Sequence, residues 1–117
     1  ALVEEACQLA QATLAAAEQS GSSWFRYAAH VACGRLLAQA SDKEAETHLR
    51  AAFDLATLMH SLPFLAHAAV ELGELLWQSK QQDVNQRQAE RYLRQAIELG
   101  EQLAIRDIVE RASQLLR

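Results

Sequence analysis

The chain writes one pattern twice. Gly34-Arg35-Leu36-Leu37, a loop and Ala45-Glu46-Thr47-His48-Leu49-Arg50-Ala51-Ala52 return as Gly73-Glu74-Leu75-Leu76, a longer loop and Ala89-Glu90-Arg91-Tyr92-Leu93-Arg94-Gln95-Ala96. An internal period of about 40 residues constrains the fold more than any other feature, because a repeated helical unit covers its apolar face only by lying against its neighbour. The expected class is all-α, a solenoid of antiparallel helix pairs. Half of the 117 residues are hydrophobic, enough for one compact domain, and only Pro63 and four glycines interrupt a sequence rich in strong helix formers.

About six helices follow from the periodicity. Leu2, Ala6, Leu9, Ala10, Leu14 and Ala17 have helical spacing up to Ser20, and Ser22 or Ser23 can cap a second helix from about Trp24 to Gln39. Ser41 with Glu44 has the form of a capping box for a third helix reaching about His60, and Ser61 with Pro63 opens a fourth to about Ser79. Asn85 is expected to cap a fifth helix ending near Leu103, and Ile105 to Arg117 forms a sixth. The glycines are 39 residues apart and the alanines that follow are 44 apart, so five extra residues are assigned to the Gln81 to Gln86 loop. The units are therefore a half-unit at 1–21, repeats at 22–61 and 62–104, and a terminal half-unit at 105–117.

A formal charge of −4 opposes the basic stripe that phosphate neutralisation needs, so no direct nucleic acid partner is expected. No apolar run approaches the roughly 18 residues of a membrane span, and no membrane partner is expected; a cytoplasmic location is the default. Cys7 and Cys33 lack a Cys-x-x-Cys spacing and sit in apolar helical stretches, which suits buried reduced thiols. The chain opens and closes within helical pattern, as a piece of a longer protein would.

Gly34 with Leu37, then Ala45, Leu49 and Ala52, and again Gly73 with Leu76, then Ala89, Leu93 and Ala96, resemble the tetratricopeptide repeat. The early Trp position of that family holds His30 and Ala69, its Tyr position Leu37 and Leu76, and the closing proline is absent. The longer unit is similar to the helical-repeat regions of large bacterial ATP-binding signalling regulators, including LuxR-type activators and cyclase-linked relatives. The resemblance implies a right-handed solenoid that receives a protein or peptide partner, an inducer, or other domains of its own chain. It also implies that nucleotide and DNA binding reside elsewhere.

In the resembled family the first helix of each pair lines the groove, which offers Val31, Arg35 and Gln39, and in the next unit Val70, Glu74 and Gln78, with His67 and Trp77 beside them. Trp77 falls where the preceding unit has Ala38, so it can either anchor a ligand or cover the core. A hydrophobic staple of the second helix to the first is expected to account for at least one of Trp24 and Phe25, and Arg35 is expected to face Glu74 across the groove. No nucleophile, base or metal set has catalytic spacing: His60 and His67 flank a turn, and Glu71 with Glu74 reads as a solvated acidic face. A non-catalytic interaction or ligand-sensing module without a cofactor is expected. The alternatives are a structural spacer or homodimerisation unit, associating through apolar faces left open on the terminal helices, and an inducer-binding domain.

Overall fold

The computed structural model of the chain describes residues 2–38, 41–79 and 82–117. Six helices follow one another: α1 Leu2–Ser20, α2 Ser23–Leu37, α3 Asp42–Leu58, α4 Leu62–Gln78, α5 Gln82–Leu103 and α6 Arg106–Leu116. No strand occurs among the described residues. Each helix packs on its neighbours in sequence, and α4 packs on α6 as well. The composition of α4 explains its central place: Ala66, Ala68, Ala69, Val70, Leu72 and Leu76 are each 1% exposed or less, and a helix apolar on most sides is stable only when surrounded.

Gly34 and Gly73 have equivalent surroundings. A Cβ built on Gly34 would lie 2.6 Å from Cδ2 of Leu49, and one built on Gly73 would lie 2.8 Å from Cδ2 of Leu93. Leu49 and Leu93 hold the same place in the repeated pattern. In both pairs, therefore, the leading helix exposes bare backbone on which a leucine of the following helix sits. A side chain there would overpack the contact.

The turns repeat too. Gly21, His60 and Ala104 adopt φ of 71°, 53° and 59°, and they are separated by the same 39 and 44 residues that relate the two copies of the pattern. A left-handed residue after a helix lets the next amides turn back onto carbonyls the helix leaves open. Ser61 N–H accordingly donates to the Ala56 carbonyl at 3.1 Å, and Ile105 N–H to the Gly100 carbonyl at 2.8 Å. Ser22 and Ser61 then cap the next helices, their hydroxyls accepting from the amides of Phe25 and Phe64 at 3.2 and 3.3 Å. Ile105 provides no such cap for α6. Ser41 accepts from the Glu44 amide, as its sequence suggests.

Several expectations change. Asn85 lies inside α5 rather than before it, and its side-chain amide donates to Ser79 Oγ at 3.1 Å. Helix takes up most of the additional residues of the second copy, since α5 starts at Gln82, four residues before the position that corresponds to the start of α3. Lys80 and Gln81 lie outside the described residues. Trp24 and Phe25 remain 58% and 40% exposed. The two ends of the chain also differ: Ala66, Ala69, Val70 and Gly73 of α4 are buried in the core that includes Leu93 of α5, whereas 44 residues on stand Glu110, Ser113 and Gln114 of α6 and Arg117 just after it. Glu110, Gln114 and Arg117 are exposed, so α6 turns outward a polar face, not the expected apolar one. On α1, by contrast, Leu9 is 55% exposed.

Candidate binding site

Within the apolar surface of α4 stands a buried charged residue, Glu71, only 6% exposed. A carboxylate taken out of water requires compensation by charge and hydrogen bonds. Arg35 of α2 donates to Glu71 Oε1 through Nε at 3.1 Å and through Nη2 as well, and Arg111 of α6 donates to the same oxygen through Nη1 at 2.9 Å. Arg111 Nε also donates to Glu74 Oε2 at 2.7 Å. Burial alone would raise the Glu71 carboxyl, but hydrogen bonds from His67, Arg35 and Arg111 outweigh it and hold the group well below the usual carboxylate range. Three helices are thus tied at one atom.

A second chain of polar contacts joins this cluster. Tyr27 of α2 stacks on Phe64 of α4, with ring centres 4.6 Å apart, and its hydroxyl donates to the Phe64 carbonyl at 3.0 Å. The phenol oxygen also stands 3.0 Å from His67 Nδ1, and which of the two donates follows the tautomer of the ring. His67 Nε2 then stands 3.5 Å from both Arg35 Nη2 and Glu71 Oε1. Burial, followed by the charge of Glu71, pushes the Tyr27 hydroxyl above its ordinary value. Tyrosine, histidine and glutamate lie in line, yet at neutral pH the phenol keeps its proton and the carboxylate stays without one.

Two cavities flank the cluster. One, of about 470 Å3, is walled by Tyr27, Ala28, Val31, Ala32 and Leu36, with Arg35 and His67 at its border. The other, of about 360 Å3, lies over Gly34 and Leu49 and is bordered by Glu74, Gln78 and Arg111. Arg35 belongs to both. One end of the face is apolar and the other carries both signs of charge.

Of the residues the sequence offered, Val31, Arg35 and His67 border the first cavity, and Arg35, Glu74 and Gln78 the second. Val70 borders neither: it is fully buried in the core that contains Leu93 and Ile108. Trp77 packs against that core and against the one that contains Leu76 and Ala89, so it covers the interior. The reason is helical geometry, since positions three before and four after Gly73 share its side, and that side is covered by α5. Gln39 lies outside the described residues. Arg35 pairs with Glu71 rather than Glu74, and Glu71 is buried rather than solvated.

Tyr27, Glu71 and Arg111 are the members that sequence reasoning missed. Arg111 carried a usable signal, because it stands 44 residues after His67 and therefore at the same repeat position. Both cysteines are free thiols; Cys33 is buried and donates to the Ala10 carbonyl at 3.2 Å, and Cys7 is partly buried. Among the described residues no group of three or more His, Cys, Asp or Glu is placed to hold a metal, and no helix is long and apolar enough to cross a membrane. Comparisons with protein-family models, curated proteins and solved structures find no match for the chain.

Proposed function

We propose that the chain is a non-catalytic interaction module: a right-handed, tetratricopeptide-like α-solenoid whose α2–α4–α6 face receives an extended segment of a partner protein within a larger signalling or transcriptional regulator. The observation that carries this reading is that Arg35 borders both cavities, one apolar and one charged. A single extended ligand can seat an apolar side chain against Tyr27, Ala28 and Val31 while its neighbouring groups reach Glu74, Gln78 and Arg111. The repeated glycine seats and the three left-handed turns favour a solenoid over a closed bundle. The fixed protonation states of Tyr27 and Glu71 favour recognition over proton transfer, which requires groups poised to change state. Mixed charge on the face favours a polar segment of both signs over a polyanion.

The test is selection from a peptide library against the wild type, with Ala32→Trp, which fills the apolar cavity, and Arg35→Gln as counter-targets. Expected are segments with one apolar residue beside polar ones, bound by the wild type and by neither variant, while the far-ultraviolet spectra of the three proteins coincide. Segments that bind all three equally would overturn the assignment. A small-molecule effector is the second reading, favoured by the apolar cavity's size, which falls in the range of about 300–1,000 Å3 usual for such sites.

A further inference from the structure

Away from that face, α2 and α3 meet through two histidines. Nδ1 of His30 and Nδ1 of His48 are 3.1 Å apart, with ring centres 5.3 Å apart. The second distance is close to the first plus two ring radii, so the rings meet head-on. One Nδ1 must carry the hydrogen and donate, and the other must keep its lone pair. A metal held by both would require each nitrogen about 2.0–2.1 Å from a shared point off their common line, a geometry that head-on rings do not offer. The contact is therefore built for a proton. It survives one added proton, which makes the donor a cation, and fails with two, because both nitrogens then carry hydrogens and two like charges touch.

The surrounding groups decide how readily that second proton arrives. Glu18 of α1 favours a charge on His30, while Arg26 on α2 opposes it. Cys7 and Gln11 of α1, and Glu44 one turn before His48, line the small cavity against His48. Burial first, and then the charge of His48, lower the proton affinity of His30. A base whose affinity is reduced by folding binds more protons when unfolded. Its contribution to stability is therefore complete above the ordinary histidine value near 6.5 and is lost as pH falls below it.

We propose that His30 and His48 form an acid-sensitive pin that holds α2 to α3 at neutral pH and releases on acidification, loosening the helix that carries Tyr27, Val31 and Arg35. Nitrogen-15 and proton spectra of the imidazoles at about pH 7.5 should show one shared, downfield Nδ1 hydrogen in the wild type, absent from His30→Gln and from His48→Gln. Urea titrations at about pH 7.5 and about pH 5 should give a rise in the unfolding constant several-fold greater for the wild type than for either variant, with faster exchange of α2 amides at the lower pH. Two rings that titrate as isolated, solvated histidines would overturn the proposal, as would equal acid sensitivity in all three proteins. The spectra need only the wild type, so the pin stays testable if a variant fails to fold.

Discussion

The first helix pair, α2 with α3, and the second, α4 with α5, are built alike at their seams and differ at their surfaces. Both have a glycine under a leucine, and both have a glutamate four residues before an arginine on the second helix: Glu46 with Arg50 at 2.8 Å and Glu90 with Arg94 at 2.7 Å. Arg50 goes further, donating to Tyr92 OH at 3.1 Å and to Gln88 Oε1 at 2.9 Å, whereas Arg94 is 69% exposed and, among the described residues, bonds only to Glu90. At the turns, Leu58 and Leu62 of the first junction are 74% and 41% exposed, and their counterparts 44 residues on are Gln102 and Arg106. Repetition thus fixes what lies between helices, while a surface position takes its role from whatever lies next to it.

The seams should yield the largest effects. Gly73→Val is expected to destabilise the fold by about 3 kcal/mol, at the upper end of overpacking costs. Gly34→Val should cost somewhat less. The difference arises because a Cβ at Gly73 lies 3.3 Å from the Leu93 backbone nitrogen, so α5 itself must move, whereas at Gly34 the nearest backbone atom is 3.5 Å away and the side chain of Leu49 can turn aside. Alanine at either site costs less, because its better helix propensity returns about 1 kcal/mol. Urea unfolding checks this, and a harmless Gly34→Val would break the equivalence of the two pairs.

Next in size is the ion cluster centred on Glu71 of the second pair, which draws Arg35 from the first pair and Arg111 from α6. Glu71→Gln keeps the volume and removes the charge, leaving Arg35 and Arg111 to face each other. Removing one partner of a buried ion pair costs about 3–5 kcal/mol, but Arg35 is 57% and Arg111 35% exposed, so about 2 kcal/mol is expected once solvent screening is allowed for. The pH dependence has a definite sign. The folded Glu71 carboxyl is held low, so its stabilisation is present above the unfolded carboxylate value of about 4.3 and is lost as pH falls below that toward the folded value. Glu71→Gln should flatten the acid limb of the stability curve below the unfolded carboxylate value.

The seams were legible because periodicity and glycine are written locally: helix order and the serine caps follow from spacing, and the repeat marks Gly34 and Gly73 as equivalent positions. The face of α4 was harder to read. Counting from Gly73 assigned Val70 and Trp77 to the groove, but which side of a largely apolar helix is left open depends on where α5 and α6 lie, and that is a tertiary fact. His30 and His48 stand 18 residues apart on different helices, where no periodic rule joins them. Asn85 misled because a good capping residue also fits inside a helix whose start is set by the packing of its later turns.

The arginines sharpen the comparison at a smaller scale. Arg50→Ala removes contacts to α5 and the guanidinium that lies 6.0 Å from the centre of the Tyr92 ring, so about 1 kcal/mol is expected. Arg94→Ala loses only an exposed pair within one helix, worth about 0.3–0.5 kcal/mol. Thermal melts of the two variants at low and high salt separate them. Equal losses would mean that the link from α3 to α5 contributes nothing.

The smallest effect lies in the turns, where backbone alone is at stake. Gly21, His60 and Ala104 share one left-handed conformation, but only Gly21 lacks the Cβ that makes it unfavourable, a cost of about 1–2 kcal/mol for other residues. Glycine also loses about 0.5–1 kcal/mol more chain entropy on folding, so the two terms largely offset. Ala104→Gly should therefore stabilise the chain by about 0.5 kcal/mol, a rise of a few degrees in melting temperature for a domain of this size. Gly21→Ala should destabilise it by a similar amount, and cleanly, because no atom lies within 4 Å of the added Cβ. Opposite signs at equivalent positions would show that the three turns are one structural device with different residues placed in it. The same sign at both would mean that neighbouring contacts, rather than the shared left-handed geometry, set the energy of these turns.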